Sequence, residues 1–478
     1  MPIEYEKDLR VTETAIPGLL VVDLAVHGDS RGWFKENWQR EKMVAEGIPD
    51  RHWVQNNISY NLEAGATRGI HAEPWDKFIS VATGSVFGAW VDLRQGSETF
   101  GEVFTCTLDP SRAIYVPRGV GNSYQALEDG TAYCYLVDAH WSAEQKKSYT
   151  FVNLADPDLA IPWPIPLEGC EISEADGNHP MLRDVTPMPP RCTLVTGCDG
   201  QLGRAVRKLA EERGIADTFD FTDIDTFDFS DPEQYGKIDW PLYGTVINCG
   251  AYTAVDRAET PEGRVAAWKA NAVGPALLAR TCAEHDITLV HVSSDYVFDG
   301  TEEVHDEEEP FSPINVYGQT KAAGDIAVST CPRHYIVRSA WVIGDGNNFV
   351  RTMMRLSDRV ADPEDPLDYV DVVDDQVGRL TLADVMAGAI FHLIDSHVPY
   401  GVYNCTCSGD SVSWADIASI IFNLRNGTGS AVHPVDTEEY LARTQAPVAL
   451  RPKHSTLQLS KLEATGFMPI EWLACLEA

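Results

Sequence analysis

A glycine-rich turn constrains the fold of this chain more than any other stretch. It reads Thr-Gly-Cys-Asp-Gly-Gln-Leu-Gly and lies between a short apolar run, Cys192–Val195, and an amphipathic segment, Leu202–Arg213. A strand, a glycine turn and a helix in this order are typical of a parallel sheet that binds a dinucleotide. Gly197 permits the tight turn, Gly200 lets the backbone approach a diphosphate, and Gly203 lets the helix pack closely on the strand.

The pattern that follows this turn points to the same fold. Strands are predicted to end near Phe221 and to span Thr245–Asn248 and Ile287–Val292, alternating with helices at Ala276–His285 and Tyr317–Ser329. Such alternation predicts an α/β domain of the Rossmann type, with a doubly wound parallel sheet. Residues beyond about 340 are expected to form a smaller substrate lobe. The helices predicted for this lobe are Asn348–Leu356 and Leu382–Leu393.

The first part of the chain has a different pattern. Short runs rich in β-branched and aromatic residues, such as Phe78–Ala82 and Val103–Leu108, are separated by glycine, asparagine or proline. This spacing predicts an all-β sandwich or small barrel. A proline-rich segment precedes residue 191. We therefore predict a β domain at residues 1–185, a linker at 186–190 and an α/β domain at 191–478.

Charge and cysteine usage exclude several classes of protein. The formal net charge is −35, which argues against binding to nucleic acid or to an anionic membrane surface. No apolar run is long enough to cross a bilayer, and the first residues lack the basic and apolar regions of a signal peptide. The cysteines are dispersed and form no Cys-x-x-Cys pair. We therefore expect a cytoplasmic protein with reduced thiols.

A serine, a tyrosine and a lysine in the second domain indicate carbonyl chemistry. Tyr317 and Lys321 are four residues apart, so they share one face of a helix, and Ser294 ends the run His-Val-Ser-Ser. We expect Tyr317 to donate a proton to a carbonyl oxygen while a nicotinamide delivers hydride to its carbon. Lys321 would lower the pKa of the phenol, and Ser294 would orient the carbonyl.

Acidic residues near the end of the second predicted strand bear on the choice of cofactor. Asp223 and Asp228 can bind ribose hydroxyls or the adenine amino group, and an acid at the ribose favours NADH. The same aspartates are equally compatible with a solvated loop. We expect the cofactor to be NADPH or NADH. Besides the glycines, the two acids, Tyr317 and Lys321, its predicted contacts are Gln201, Leu202, Phe229, Gly250, Ala251 and Tyr252.

Histidine, tyrosine and basic residues in the first domain indicate proton transfer at carbon. His71 and Tyr135, on opposite sides of a sugar ring, could remove and return a carbon-bound proton, with Lys77 stabilising the enolate. Arg31 and Arg68 suit an anionic ligand. We expect no metal, because barrels of this kind that bind one use a His-x-His pair and a nearby glutamate, which His71 lacks.

The second domain resembles dTDP-4-dehydrorhamnose reductase, an extended short-chain dehydrogenase. Matching stretches are Gly-Gln-Leu-Gly at 200–203, Gly-Ala-Tyr-Thr-Ala-Val-Asp at 250–256, Ser-Ser-Asp-Tyr-Val-Phe-Asp-Gly at 293–300, Tyr-Gly-Gln-Thr-Lys at 317–321 and Arg-Pro-Lys-His-Ser at 451–455. The resemblance implies reduction of a 4-keto sugar by Ser294, Tyr317 and Lys321. It also implies that Asp295 and Trp341 lie beside the substrate. Ser294 stands where the family often has threonine, which keeps the hydroxyl.

The first domain resembles dTDP-4-dehydrorhamnose 3,5-epimerase, a cupin-type jelly roll. The match includes Asp-Ser-Arg-Gly-Trp-Phe-Lys-Glu at 29–36, Gln-Asn-Asn-Ile-Ser at 55–59 and Arg-Gly-Ile-His at 68–71. It implies that His71 is the base, Tyr135 the proton donor and Asp156 the partner of His71. The implied sugar-nucleotide site comprises Arg31, Glu36, Gln55, Asn57, Arg68 and Lys77. Trp141 stands where a tyrosine usually stacks on thymine, and Asn122 replaces a histidine that normally contacts the substrate.

Together the two resemblances imply a fusion of consecutive enzymes that act on a dTDP-4-keto-6-deoxy sugar. The first domain would invert C3 and C5, and the second would reduce the 4-ketone with NADPH or NADH. One alternative is a reductase for a UDP-linked sugar, with a weak, single-carbon or inactive epimerase domain that serves as a docking module. The barrel family commonly dimerises, so we expect a homodimer formed through the N-terminal barrel.

Overall fold

The computed structural model describes residues 5–143, 145–364, 367–443 and 448–477 of the 478-residue chain. Contacts between residues divide it into two compact units, residues 1–190 and residues 191–478. Within the described ranges, no helix combines the length and the apolar character needed to cross a membrane.

The N-terminal unit is built from β-strands and two short helices. The strands are β1 (Arg10–Glu13), β2 (Leu20–Asp23), β3 (Val26–Asp29), β4 (Gly32–Lys35), β5 (Gln55–Asn61), β6 (Thr67–Ala72), β7 (Lys77–Thr83), β8 (Val86–Asp92), β9 (Val103–Leu108), β10 (Arg112–Val116), β11 (Val120–Ala126), β12 (Thr131–Val137) and β13 (Thr150–Phe151). The helices are α1 (Arg40–Ala45) and α2 (Glu174–Gly177).

Most of these strands form two antiparallel sheets. The strand order is β1-β2-β10-β7-β12-β5 in one sheet and β13-β6-β11-β8-β9 in the other, while β3 and β4 form a separate hairpin. Apolar side chains of both sheets share one core, where Ile79 and Ile114 of the first sheet cluster with Trp90 and Tyr124 of the second. This is the all-β architecture that the alternating short runs predict.

The segment predicted to be a linker packs against the N-terminal unit. Met188 is buried, its N–H donates to the carbonyl of Leu93 at 2.7 Å, and its carbonyl accepts from Gln95 at 2.8 Å. The hydroxyl of Thr150 also donates to the carbonyl of Thr186. Residues 186–190 therefore extend the β unit instead of forming a free spacer, because an apolar side chain and the backbone both find partners there.

The C-terminal unit alternates strands and helices. Its strands are β14 (Cys192–Thr196), β15 (Phe219–Thr222), β16 (Tyr243–Asn248), β17 (Thr288–Ser294), β18 (His334–Ser339), β19 (Val342–Ile343), β20 (Val370–Val373), β21 (Val377–Gly378), β22 (Thr381–Leu382), β23 (Gly401–Asn404), β24 (Val412–Ser413) and β25 (Val432–Val435). Its helices are α3 (Gln201–Glu212), α4 (Pro261–Trp268), α5 (Gly274–Glu284), α6 (Val316–Val328), α7 (Phe349–Ala361), α8 (Ala383–Asp395), α9 (Trp414–Asn426), α10 (Thr437–Arg443), α11 (Ser460–Glu463) and α12 (Trp472–Glu477).

A parallel sheet forms the centre of this unit. Its strand order is β15-β14-β16-β17-β18-β23, and each neighbouring pair is parallel. One face is covered by α3 and α8, and the other by α5 and α6, so the strands are buried on both sides. The carboxyl ends of β14, β16 and β17 meet at one edge, where Thr196 pairs with Asn248 and Asn248 with His291.

The smaller lobe differs from its prediction in one element. Helices α7 and α9 and the short pairs β20–β25 and β21–β24 share their own apolar core, which includes Met353 and Ile421. Helix α8, however, packs in the main core through Met386 and Ile390, and β23 joins the main sheet. The expectation that the chain beyond residue 340 is all lobe is therefore wrong, because α8 carries a broad apolar surface that the sheet buries.

Candidate active sites

The position of His71 depends on an irregularity in β6. Tyr124 of β11 pairs with Arg68, while Asn122 pairs with His71, so β6 carries one extra residue between the two pairs. Such a bulge changes which side chains share a face, and both Arg68 and His71 line one cavity of about 370 Å³. Gly69 within the bulge has φ +116°, and a Cβ there would lie 2.5 Å from the Cβ of Ser123. Only glycine fits this position.

The partner of His71 is Asp176. Nε2 of His71 lies 2.8 Å from Oδ1 of Asp176, and the other carboxylate oxygen accepts from the backbone N–H of Gly69 at 3.4 Å. Asp176 lies in α2, where the hydroxyl of Ser173 caps its N–H. Burial alone would raise the pKa of Asp176, but the hydrogen bond from His71 holds that pKa below its ordinary value. The pair therefore favours an ionised carboxylate that fixes the imidazole.

The prediction that Asp156 orients His71 is wrong. Asp156 is buried, and its two oxygens accept the backbone N–H groups of Asp158 and Leu182. One bond lies within the loop that contains Asp156, and the other is to the nearby segment at Leu182. The carboxylate of Asp156 therefore stabilises the backbone. The role that the resemblance gave to Asp156 passes to Asp176.

A second histidine completes the surroundings of Asp176. Nε2 of His179 lies 3.3 Å from the same Oδ1 atom, and its ring stacks on Phe151 with centroids 4.5 Å apart. The rings of His71 and His179 meet edge to face at 5.5 Å. Burial, and then the neighbouring imidazole of His71, lower the pKa of His179, which favours its neutral form.

Tyr135 lies on the other sheet, in β12, beside two charged residues. Its ring is 5.6 Å from Nζ of Lys77, which forms an ion pair with Glu73. Burial raises the pKa of Tyr135 to about 12, with a further upward effect from the charge of Glu73. The phenol is therefore protonated at neutral pH. The charge of Arg68 lowers the pKa of the same phenol. Tyr135 therefore lies within electrostatic reach of β6, the strand that carries both Arg68 and His71.

The other predicted residues of this unit do not line the cavity beside His71, and they divide into two groups. Asn122 accepts a hydrogen bond from the Tyr133 hydroxyl at 2.9 Å, directly across from His71. Gln55 donates to Asn57 at 2.8 Å and accepts from the backbone N–H of Trp141 at 3.1 Å. These contacts connect the edge strand β5 with the segment after β12.

Arg31 and Glu36 lie elsewhere. Arg31 is at the tip of the β3–β4 hairpin, where its side chain is 87% exposed and pairs with Asp29. Glu36 pairs with Lys42 at 2.5 Å and lines a separate cavity of about 310 Å³. Among the described residues of this chain, neither Arg31 nor Glu36 lines the cavity that His71 lines.

In the C-terminal unit the glycine turn has the geometry that its sequence predicts. Gly197 has φ +68°, and a Cβ there would lie 2.5 Å from Cα of Gly250. A Cβ on Gly203 would lie 2.3 Å from the carbonyl oxygen of Gly197. The turn, the strand end at Gly250 and the first turn of α3 can therefore approach only because side chains are absent.

A cavity of about 830 Å³ opens beside this turn. The predicted residues that line it are Gly197, Gly200, Gln201, Leu202, Asp223, Asp228, Phe229, Gly250, Ala251, Ser294, Asp295, Tyr317, Lys321 and Trp341. Two predicted contacts are placed differently. Gly203 packs against the turn, and Tyr252 clusters with Ala258 and Val316 behind Tyr317. The volume and the glycine cradle fit a dinucleotide.

The two aspartates of this cavity have different surroundings. Asp223 accepts the backbone N–H of Asp199 at 2.9 Å and the N–H of Ile224, at the end of β15. Asp228 accepts from Ser230 and, at 3.1 Å, from Nζ of Lys269. Burial would raise the pKa of Asp228, but these hydrogen bonds hold it below its ordinary value. Asp228 is thus part of an internal network, whereas Asp223 lies nearer the turn.

Tyr317 and Ser294 both line this cavity. Asn315 caps α6 by accepting the N–H of Gly318 at 2.7 Å, which places Tyr317 in the first turn. Ser294 Oγ donates to Asp295 at 2.9 Å, and the Ser294 side chain acts to lower the pKa of Tyr317. Burial and the charge of Asp295 raise the pKa of Tyr317. The net shift is opposite to the expected effect of Lys321, because the phenol is buried.

Lys321 lies one helical turn after Tyr317 and is almost fully buried. Its Nζ donates to the carbonyl of Val292 at 2.6 Å. Burial lowers the pKa of Lys321 to about 8, although the charge of Asp325 opposes this effect. Asp325 in turn receives Nε of Arg338 at 3.1 Å. The charge of Asp325, which itself contacts Arg338, favours the protonated form of Lys321. Burial opposes that form, so Lys321 loses its proton easily.

Comparison with known proteins agrees with both geometries. The profile of the RmlD substrate binding domain family matches residues 191–478, and that of dTDP-4-dehydrorhamnose 3,5-epimerase matches residues 13–184. A protein named RmlC homolog from Streptococcus pyogenes serotype M6 is 51% identical over 193 residues, which are 39% of this chain and 96% of that protein. The chain belongs to both families.

Solved structures cover the reductase half. The crystal structure of a dTDP-4-dehydrorhamnose reductase from Clostridium acetobutylicum is 37% identical, with a TM-score of 0.53, and covers 60% of this chain and 96% of its own. The reductase from Bacillus anthracis, solved in complex with NADP, is 33% identical with a TM-score of 0.52 over 60% of this chain and 97% of its own. The fusion of an epimerase with a reductase, inferred from sequence motifs, is confirmed.

Sequence motifs missed several residues of the two sites. Arg204, one turn into α3, donates to the carbonyls of Asp199 and Asp345 and brings a cation to the cavity. In the sequence, the position of Arg204 four residues after Gly200 was the feature that could have predicted this contact with the cavity. Asp176 follows Ser173 by three residues, which is the spacing of a helix cap, but nothing nearby in the sequence connects either residue with His71.

Proposed function

We propose that this chain carries out two consecutive reactions on one nucleotide sugar. The N-terminal unit inverts C3 and C5 of dTDP-4-dehydro-6-deoxy-D-glucose, and the C-terminal unit reduces the 4-ketone of the product to give dTDP-L-rhamnose. The observation that carries this proposal is that one chain holds both a His71–Asp176 pair and a Ser294–Tyr317–Lys321 set on a cavity of dinucleotide size.

In the epimerase unit, His71 is the base. Because Nε2 of His71 faces Asp176, the Nδ1 lone pair is the one available to take a proton from the carbon next to the ketone. Tyr135, neutral because burial raises its pKa to about 12, returns a proton from the opposite side of the ring. Lys77 provides the positive charge that stabilises the enolate, and substrate would compete with Glu73 for it.

In the reductase unit, Tyr317 is the acid. Its raised pKa keeps the phenol protonated, and Ser294 positions the carbonyl oxygen that receives the proton. Lys321 supplies the positive charge that stabilises the phenolate once the proton has left. The bound nicotinamide cofactor supplies the hydride.

The residues present fit NADPH or NADH. Gly197, Gly200 and the start of α3 would hold the diphosphate, with Arg204 supplying positive charge, and Asp223 would lie toward the adenosine ribose. The Bacillus anthracis relative was solved with NADP, which supports NADPH. An acid at the ribose supports NADH, so we propose that the chain accepts both.

The finer assignments of fold and assembly belong to the same proposal. We assign the two antiparallel sheets to a cupin-type jelly roll and the parallel sheet, with its glycine turn after β14, to the Rossmann type. A homodimer through the N-terminal barrel is supported by the edge strand β5, where Ile58 and Tyr60 are 67% and 58% exposed. The dispersed cysteines support a cytoplasmic location.

Product analysis tests this function. The full chain is incubated with dTDP-4-dehydro-6-deoxyglucose in deuterated water, first alone and then with NADPH or NADH. We expect deuterium at C3 and C5 without cofactor, and dTDP-L-rhamnose with either cofactor. A faster reaction with the UDP-linked sugar would contradict the nucleotide assignment, and cofactor oxidation without deuterium at C3 and C5 would contradict the epimerase.

A further inference from the structure

Three potential metal ligands converge beside the cavity of the N-terminal unit. One potential ligand atom from each of His71, Asp176 and His179 lies within 4.8 Å of the other two. Oδ1 of Asp176 is 2.8 Å from the first nitrogen and 3.3 Å from the second. Ligand atoms of a tetrahedral zinc ion lie about 3.3–3.6 Å apart, given zinc–ligand distances of about 2.0–2.2 Å. The His179–Asp176 distance already has this value, whereas the His71–Asp176 contact is shorter and must open.

The chemistry of the three groups also suits such an ion. Neutral imidazoles and one carboxylate are the ligands that zinc and similar divalent ions prefer. Glu171 adds negative charge to the cavity wall, while Arg68 and Lys146 oppose it. The open cavity leaves room for a water molecule as a fourth ligand.

We propose that His71, Asp176 and His179 form a binding site for a divalent transition-metal ion such as Zn²⁺, and that the bound ion inhibits the epimerase. This inference rests on the proposed role of His71 as the base. A metal ion at Nε2 displaces the proton that this atom shares with Asp176, and a neutral ring then carries its proton on Nδ1. Nδ1 therefore loses the lone pair that accepts the proton of the substrate.

Another group of potential ligands is less suited to the ion. Cys198, Asp199 and Asp223 also converge, in the glycine turn of the C-terminal unit. Sγ of Cys198, however, already accepts a hydrogen bond from Arg207 at 3.3 Å, and burial raises the pKa of the thiol. Because zinc binds the thiolate, this group should compete poorly with two neutral imidazoles.

His179 gives the most direct test, because it can be changed without removing the base. His179→Asn removes the ligand, and His179→Phe removes it while keeping a ring to stack on Phe151. His433→Gln is the matched control, since His433 contacts Asp371 at 2.8 Å without a third ligand atom among the described residues. Near-UV circular dichroism of each metal-free variant confirms its folding.

The experiment measures two quantities on the full chain after chelator treatment. The first is zinc affinity, by competition with a chromophoric chelator, and the second is the rate of deuterium exchange at C3 and C5 as a function of free zinc. We expect saturating zinc to lower exchange at least about tenfold, because the base is blocked. Both His179 variants should raise the zinc concentration for half inhibition at least about tenfold. His433→Gln should behave like the original chain.

Two results would overturn the metal site: exchange that zinc does not affect, or equal zinc inhibition in the original chain and both folded His179 variants. Failure of the proposed function would give a different experimental result. A chain with no exchange in the absence of zinc would refute the epimerase assignment, while chelator competition would still show whether zinc binding depends on His179. Binding that does not depend on His179 would refute the site in that case as well.

Discussion

The residues proposed to carry the chemistry are arranged differently along the chain in the two units. In the reductase unit, Tyr317 and Lys321 share one helix, and Ser294 ends the neighbouring strand β17. In the epimerase unit, His71 lies in β6, while its partner Asp176 comes from a short helix 105 residues later. Residues that share a helix face or end a strand are local features, and a sequence motif can record them. No sequence motif records a contact between distant segments.

The pKa shifts of the two proposed proton donors show what the units share. Burial raises the pKa of Tyr135 and of Tyr317, so each phenol is kept protonated. Each also has a lysine nearby, Lys77 in one unit and Lys321 in the other, and the two lysines differ in pairing. Lys77 forms an ion pair with Glu73, but Lys321 donates to a backbone carbonyl and has a depressed pKa. We therefore expect the charge of Lys321 to make the proposed reduction depend on pH.

The largest expected effect separates the two units completely. Tyr317→Phe should lower the rate of NADPH oxidation about 10³-fold, because the carbonyl oxygen loses its proton donor. Deuterium exchange at C3 and C5 should stay within about twofold, since His71 and Tyr135 belong to the other unit. Both rates are measured on the same preparation. Loss of exchange in a folded Tyr317→Phe protein would show that the two sites are not independent.

The next effect tests which aspartate orients His71. Asp176→Asn should lower exchange about 10²-fold or more, because an amide that donates to Nε2 moves the ring proton to Nδ1. Asp156→Asn should leave the exchange rate per folded molecule nearly unchanged. It should instead lower the free energy of unfolding by about 1–3 kcal/mol, since the amide keeps one acceptor oxygen and turns an NH2 group toward the second buried N–H. The opposite ranking of the two variants in exchange would restore Asp156 as the partner.

The pH dependence of the reductase follows from Lys321. Its pKa is lowered to about 8 in the free protein, so the ammonium form is present below that pH and is lost above it. If the charge is required, kcat/KM for reduction should fall about tenfold per pH unit above about pH 8. Lys321→Arg keeps a charge at every accessible pH, and whatever activity it retains should lack this decline. A flat profile for the unmodified chain would argue against the role of the ammonium group.

The smallest expected effect concerns the choice of cofactor. Asp223→Ser should raise the ratio of kcat/KM for NADPH to that for NADH about fivefold, because a carboxylate near the adenosine ribose repels a 2′-phosphate. Asp228→Asn serves as the control, since Ser230 and Lys269 already occupy that carboxylate. An equal change in both variants would show that the effect is one of general charge.

Local sequence signals predicted the helix that carries Tyr317 and Lys321 and most of the strand that ends at Ser294, but they missed Arg204. The helix predicted at Leu202–Arg213 is observed at Gln201–Glu212, and the one predicted at Tyr317–Ser329 at Val316–Val328. The strand β6, which carries His71, was not recognised, because Arg-Gly-Ile-His contains a glycine at positive φ within a bulge. Propensity rules treat such a segment as a turn. His179 was likewise not predicted, since its nearness to His71 depends on how the loop after β13 folds back.

What the sequence alone determined are the features that depend on neighbours along the chain. These are the glycine turn before α3, the helix face shared by Tyr317 and Lys321, and the change from short β runs to alternating strands and helices near residue 191. Tertiary structure decided the partner of His71, the structural role of Asp156 and the meeting of two imidazoles on one carboxylate. The physical reason is that local spacing is set by backbone geometry, whereas contacts between distant segments depend on how the whole unit packs.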